Sequence, residues 1–145
     1  MSSATKVYDA DQVSMVFMSI PVSSGYDDGT FLEIEQNEDD FKVKVGTDGE
    51  TTRSKTNNHN ADIKVHLMQS SDGNAAFSTI NNLDKLAPNG TGIGPMLVRD
   101  RSGTSLYTAA HCWIQKPPDV TFAREPSDRV WTLHCSDLVR FDGGN

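Results

Sequence analysis

The sequence predicts a mostly-β domain carrying a single α-helix. Three observations lead there. Apolar side chains recur with period two through most of the chain, which is the strand signature. Only one stretch, residues 72–87, switches to helical spacing. Short runs are separated by clusters of Gly, Pro, Asn and Asp. The 145 residues are about the length of one domain, 1–145. A hydrophobic share of 36% implies a modest core under a large polar surface.

Residues 13–22 read as a first strand, apolar on both faces, and Ser23 to Gly29 as a loop. The clearest unit follows. Phe31-Leu32-Glu33-Ile34-Glu35-Gln36 and Phe41-Lys42-Val43-Lys44-Val45 both alternate, and Asn37-Glu38-Asp39-Asp40 fits a four-residue turn between them. Pairing Gln36 with Phe41 sets Glu35 against Lys42, Ile34 against Val43, Glu33 against Lys44 and Leu32 against Val45. One register thus gathers opposite charges on one face and aliphatics on the other, each pair contributing roughly 0.2–1 kcal/mol. Residues 46–60 hold no large apolar side chain and read as a polar, extended arm or an unstructured loop. Residues 61–69 alternate again, with Ile63, Val65 and Leu67 set against Lys64, His66 and Met68.

The helix starts after Ser71 or Asp72, either of which suits a cap, and Pro88-Asn89-Gly90 ends it. Its apolar stripe is Ala76, Ile80, Leu83 and Ala87, flanked by Phe77 and Leu86. Strands are expected again at 96–99, 105–114, 120–124 and 130–135, interrupted by Arg101-Ser102-Gly103 and by Lys116-Pro117-Pro118-Asp119.

Charge is unevenly spread. The chain carries −7, but residues 1–50 hold 11 acids and 3 bases, whereas residues 51–145 hold 9 acids and 10 bases. Such asymmetry fits an acidic working surface, head-to-tail association of unlike faces, or plain solubility. It argues against tight or sequence-specific nucleic-acid binding, which needs clustered Lys and Arg. No apolar run approaches the ~20 residues of a membrane helix, and the first residues lack a signal-peptide pattern, so a soluble, unexported chain is expected.

Thr108-Ala109-Ala110-His111-Cys112 matches the surroundings of the catalytic histidine in chymotrypsin-like serine proteases. That chemistry needs a serine nucleophile and an oxyanion hole as well. The Gly-Asp-Ser-Gly-Gly setting of that serine is absent; Ser127 lies in Glu-Pro-Ser-Asp and Ser136 in Cys-Ser-Asp. The string is read as coincidence within a strand. His111-Cys112 and His134-Cys135 suggest zinc at first sight, but adjacent strand residues point to opposite faces. Buried reduced cysteines are expected, with a Cys112–Cys135 disulfide as the alternative. Asp27-Asp28-Gly29 and Glu38-Asp39-Asp40 lack the calcium-loop pattern. No residue is assigned to catalysis, to a metal or to a cofactor.

The layout as a whole resembles the tail tube protein of contractile-tailed bacteriophages. The resemblance rests on the opening strand 13–22, the charged hairpin 31–45, the polar arm 46–60 and the helix 72–87. It is completed by Trp113-Ile114-Gln115-Lys116-Pro117-Pro118-Asp119-Val120-Thr121-Phe122, Arg129-Val130-Trp131 and the end Gly143-Gly144-Asn145. It implies a β-sandwich or partial barrel with one flanking α-helix, a ring-forming tail-tube-like fold. It also implies a structural role without enzymatic activity or cofactor. Homo-hexamer rings would stack into a tube, with tail sheath, baseplate and tail-terminator proteins as partners and DNA passing transiently, without sequence specificity or membrane insertion. The implied location is the virion tail, with assembly in the host cytoplasm.

Within that picture Glu33, Glu35, Lys42 and Lys44 are candidates for the lumen wall, and Glu38, Asp39 and Asp40 for a rim. Arg53, Lys55, Asn57, Asn58 and His59 are candidates for an inter-subunit arm. Two alternatives stay open: the inner tube of a contractile secretion system, and a small calcium- or carbohydrate-binding β-sandwich module.

Overall fold

The computed structural model describes residues 5–22 and 25–144. Ser23 and Ser24 of the expected loop, and the terminal Asn145, lie outside them.

A 3-10 turn at Ala10–Gln12 leads into β1 (Val13–Phe17), which turns back into β2 (Ile20–Val22). The expected single strand 13–22 is therefore a hairpin, with Met15 opposite Val22 and Phe17 opposite Ile20. Its two turn residues, Met18 and Ser19, have φ of 50° and 67°. Positive φ at both central residues is the type I′ hairpin turn, whose left-handed positions are usually supplied by Asn or Gly. Neither is present, so the sequence carries no turn signal there.

The next correction concerns the expected 31–45 hairpin. β3 (Leu32–Gln36) and β4 (Phe41–Val45) do not pair with each other. β3 pairs antiparallel with β6 (Ala61–Met68), placing Leu32 opposite Val65, Glu33 opposite Lys64, Ile34 opposite Ile63 and Glu35 opposite Asp62. β4 pairs with β5 (Thr51–Lys55) as a separate two-stranded sheet, Phe41 opposite Lys55 and Val43 opposite Arg53. The physical reason is burial. β6 offers Ala61, Ile63, Val65 and Leu67, all fully buried, so joining it puts Leu32 and Ile34 against the core. Pairing with β4 would leave both strands without a third layer. The segment 46–60 is accordingly a turn over 46–50, the strand β5 over 51–55 and an irregular return over 56–60. Gly49 supplies the left-handed residue at φ 87°, and Gly46 and Glu50 bond across the turn.

Helix α1 (Gly73–Leu86) begins with the Ser71 hydroxyl accepting from the Gly73 N–H at 3.2 Å, while Asp72 makes no side-chain cap. Its buried residues are Phe77 and Asn81. Leu83 and Leu86 of the expected stripe are 59% and 82% exposed. The helix is rotated so that the Phe77 ring packs edge-on against Phe17 and Trp131, at 6.1 and 5.5 Å between centroids. Asn74 Oδ1 accepts from the Trp131 indole N–H at 2.9 Å, fixing the same rotation.

β7 (Gly94–Asp100), β8 (Leu106–Lys116), β9 (Asp128–Cys135) and β10 (Val139–Phe141) complete the chain. The expected strand at 120–124 is absent: residues 117–127 form an irregular connection whose Pro117 and Pro118 lack the N–H a ladder needs. The large sheet runs β2-β1-β7-β8-β9-β6-β3, with β10 continuing the β9 side of β8. All its pairings are antiparallel, and it does not close. One face, bearing Met15, Phe17, Ile63, Val65, Leu133 and Trp131, holds the core beneath α1. No helix or second sheet covers the other face among the described residues; the 117–127 connection borders it beside Lys64, Val130 and Thr132.

Candidate functional site

The face of the large sheet away from α1 divides into two halves. Toward β3 it is charged. Glu33 and Glu35 stand exposed on the margin strand, and the Glu33 carboxylate meets His66 Nε2 at 2.8 Å. His66 Nδ1 lies 3.7 Å from Asp128. One row on, His134 is held between Asp62 (2.7 Å) and Asn60 Oδ1 (3.0 Å), with the Trp113 ring 5.1 Å away. Carboxylates and imidazoles thus alternate across β3, β6 and β9, where a Glu–Lys ladder with β4 was expected. Lys64 makes no ion pair among the described residues.

Toward β1 the same face is apolar. Val16, Leu97, Thr108 and Val139 are successive register partners on β1, β7, β8 and β10. With Pro95 and Ala110 they line a cleft of about 490 Å³.

Between the halves β8 carries a bulge: between the pairs Gly94–Cys112 and Met96–Ala109, the single β7 residue Pro95 is matched by two of β8, Ala110 and His111. On the opposite side the ladder is interrupted between β9 and β10, and Asp137 fills the gap. Its carboxylate accepts from the His111 main-chain N–H at 3.1 Å and meets His111 Nδ1 at 3.0 Å. Burial pushes the Asp137 carboxyl upward, but the His111 bonds outweigh it and hold the group below the ordinary carboxylate range. Among the described residues no hydroxyl or thiol is bonded to His111, so the protease-like string forms a strand clamp without a nucleophile. Cys112 and Cys135 are register partners across β8 and β9, fully buried and unbridged. Their mutual hydrogen bond and burial push the Cys112 thiol far above its usual range, which leaves it inert.

The β4–β5 hairpin stands apart from this sheet. All ten of its strand residues are exposed. One face shows Phe41, Val43 and Val45 beside Lys55, Arg53 and Thr51; the Arg53 guanidinium lies 4.0 Å over the Phe41 ring. Lys42 and Lys44 occupy the opposite face, away from Glu33 and Glu35. Glu38, Asp39 and Asp40 sit at the hairpin root, where the Gln36 amide donates to the Glu38 carbonyl and Asp40 Oδ1 at 2.6 and 2.8 Å. Among the arm candidates, Arg53 and Lys55 lie on β5 and Asn57 is exposed. Asn58 accepts from the nearby Asn60 N–H, and His59 is bridged to Asp137, where the segment rejoins the large sheet. Two features escaped the sequence reading: the pairing of β4 with β5, which leaves the apolar face of this hairpin exposed, and β10 with Asp137. The Asp48-Gly49 dipeptide between 41–45 and 51–55 was a hairpin signal for the first. No signal marks the second.

Residues 10–142 match the family model of the bacteriophage PhiTE tail tube protein. The chain belongs to this tail tube family. It is therefore a structural protein of the phage tail, not an enzyme. A relative, structural protein ORF10 of Pseudomonas phage KPP10, is 27% identical over 150 residues, spanning 100% of this chain and 87% of the relative. The fold is similar to the tube-terminating cap of the anti-feeding prophage, with TM-score 0.64, 10% identity and coverage of 97% and 95% of the two chains. It is likewise similar to a chain of the sheath–tube complex of an extracellular contractile injection system, PVC, in its extended state, with TM-score 0.59, 9% identity and coverage of 93% and 91%. Identities this low speak for the fold of the tail tube domain and no further.

Proposed function

We propose that six copies of this tail tube protein close into a ring, that rings stack into the inner tube of a contractile tail, and that the tube conducts DNA when the sheath contracts. The observation that carries this reading is the open sheet. Among the described residues β2 and β3 each have a neighbour on one side only. The margin that offers main-chain N–H and C=O groups is the five-residue β3, since on the three-residue β2 Pro21 has no N–H and the Val22 carbonyl accepts from the Tyr26 hydroxyl. Edges of this kind are satisfied by pairing with another chain or by closing a barrel. Joining margins around an axis would extend eight-stranded sheets into one closed wall.

Conduction would be passive. At −7 per copy a ring carries about −42 before counterions, and phosphate does not adhere to a like-charged wall. Glu33 and Glu35 are the proposed wall residues, with Lys64 opposite Glu33 tempering the charge. Lys42 and Lys44 would face the lumen only if the hairpin lies along it, and Glu38, Asp39 and Asp40 would form its rim. Sheath, baseplate and terminator proteins would dock on the outside and at the ends. The tube of a contractile injection system shares the fold, but the family match favours the phage tail.

Negative-stain microscopy of the purified protein tests this. Rods or six-fold rings with a central hole are the expected result; a monomer that persists at high concentration would refute it.

A further inference from the structure

Two bare surfaces of this chain complement each other. The first is the β4–β5 hairpin. A two-stranded hairpin is at best marginally stable in water unless a further layer covers it. Here no further layer covers it among the described residues, and Phe41, Val43 and Val45 are 43%, 64% and 62% exposed. The hairpin is also basic. Residues 41–55 hold four bases and two acids, so a chain of −7 carries +2 here and −9 elsewhere. None of Lys42, Lys44, Arg53 and Lys55 makes a salt bridge among the described residues.

The second surface is a groove at the open side of the large sheet, between the segment entering β1 and the segment entering β3. Its apolar part, about 510 Å³, is lined by Tyr8, Ala10, Val13, Phe31 and Leu32. It is continuous with a second recess of about 360 Å³ bounded by Asp11, Asp27 and Asp28, the two sharing Ala10, Gly29 and Phe31. These three aspartates also make no salt bridge among the described residues. An apolar floor beside unpaired carboxylates is what an apolar strand face beside unpaired cations requires. The other apolar cleft, along Val16, Leu97, Thr108 and Val139, suits the hairpin less well. Its one carboxylate, Asp137, is already committed to His111.

We propose that the apolar face of the β4–β5 hairpin of one copy seats in the Tyr8–Leu32 groove of the next copy, with Arg53 and Lys55 meeting Asp11, Asp27 and Asp28. The two surfaces differ, so the contact is heterologous: each copy gives a hairpin and receives one, and the assembly propagates. This inference rests on the tube reading above and names the joint that would hold neighbouring subunits.

The test uses two sets of variants of the full chain. In the first, Val43→Cys and Tyr8→Cys are combined; the native thiols are fully buried and stay silent. Mild oxidation of assembled rods with copper phenanthroline gives a ladder of disulfide-linked multimers, and neither single variant does. In the second, Asp27→Lys with Asp28→Lys forms one protein, and Arg53→Glu with Lys55→Glu another. Neither polymerises at concentrations where the unsubstituted protein does, and mixing them restores rods, because each groove then meets a hairpin of opposite sign. Rods without a ladder, a ladder formed instead by Val43→Cys with Val139→Cys, or a mixture that fails to recover would each overturn the joint while leaving the tube standing. Absence of rods from the unsubstituted protein would overturn the tube reading itself.

Discussion

Asp137 bonds to the main chain and to the side chain of the same residue, His111, and so closes a bulge in β8 from the gap between β9 and β10. The bulge displaces Ala110 and His111 from the β7 ladder; Asp137 replaces the missing partner on the other side. The same residue is bridged to His59, and Leu138 donates to the His59 carbonyl at 3.1 Å. Asp137 therefore ties together three segments distant in sequence, through its carboxylate to His111 and through the main chain to His59.

Replacing Asp137 by Asn weakens the bond to His111 and removes its charge. A hydrogen bond to a charged group contributes ~1.5–3 kcal/mol, and partial exposure reduces this here to about 1 kcal/mol. The folded-state carboxyl titrates below its ordinary range, so its contribution is present above about pH 4 and is lost as the pH falls further. Thermal melts at pH 7 should show the variant less stable, and the gap should narrow at pH 3. An equal gap at both values would contradict the assignment.

Tyr26 gives the opposite dependence. Its hydroxyl donates to the Val22 carbonyl and is half-buried, and burial pushes its pKa up to about 12. The unfolded chain ionises first, near pH 10, so stability holds below pH 10 and declines as the pH rises toward 12. Tyr26→Phe should cost about 1 kcal/mol at neutral pH and flatten this alkaline decline. Denaturant midpoints at pH 8 and pH 11 decide it.

The rotation of α1 is checked by contrasting two residues of its apolar set. Phe77→Ala removes a ring lodged between Phe17 and Trp131 and should cost about 3–5 kcal/mol. Leu83→Glu alters an exposed side chain and should shift stability by no more than about 0.5 kcal/mol in the monomer. Similar losses from both would place the helix in a different rotation.

If Glu33 and Glu35 line the channel, reversing both to Lys should leave rods intact and slow genome ejection. Ejection kinetics measured on phage carrying the variant tube read this directly, and unchanged kinetics would move the wall elsewhere.

Much of the strand and helix content was legible because side-chain periodicity is local: the alternation of Ile63, Val65 and Leu67 needs no partner to be read, nor does the Ser71 start of α1. Pairing was not. Leu32 and Ile34 fit Val45 and Val43 as well in sequence as they fit Val65 and Ile63, and only the presence of a third layer behind β6 separates the two. The hairpin turn at Met18 and Ser19 was hidden because tertiary contacts, including Met18 packed over Gly94, enforce a backbone that the residue types do not favour. The β10 strand was hidden because its three residues are exposed and gain their place from β8 alone.

By itself, then, the sequence determined the mostly-β class, the single helix and the acidic bias, all of which follow from residue type and near-neighbour spacing. The tertiary structure decided which strands are partners, which helix face is buried, and that Glu33 and Glu35 belong to a different sheet from Lys42 and Lys44. Those outcomes depend on which apolar surfaces can be buried together across the whole chain, a comparison no short window of residues contains.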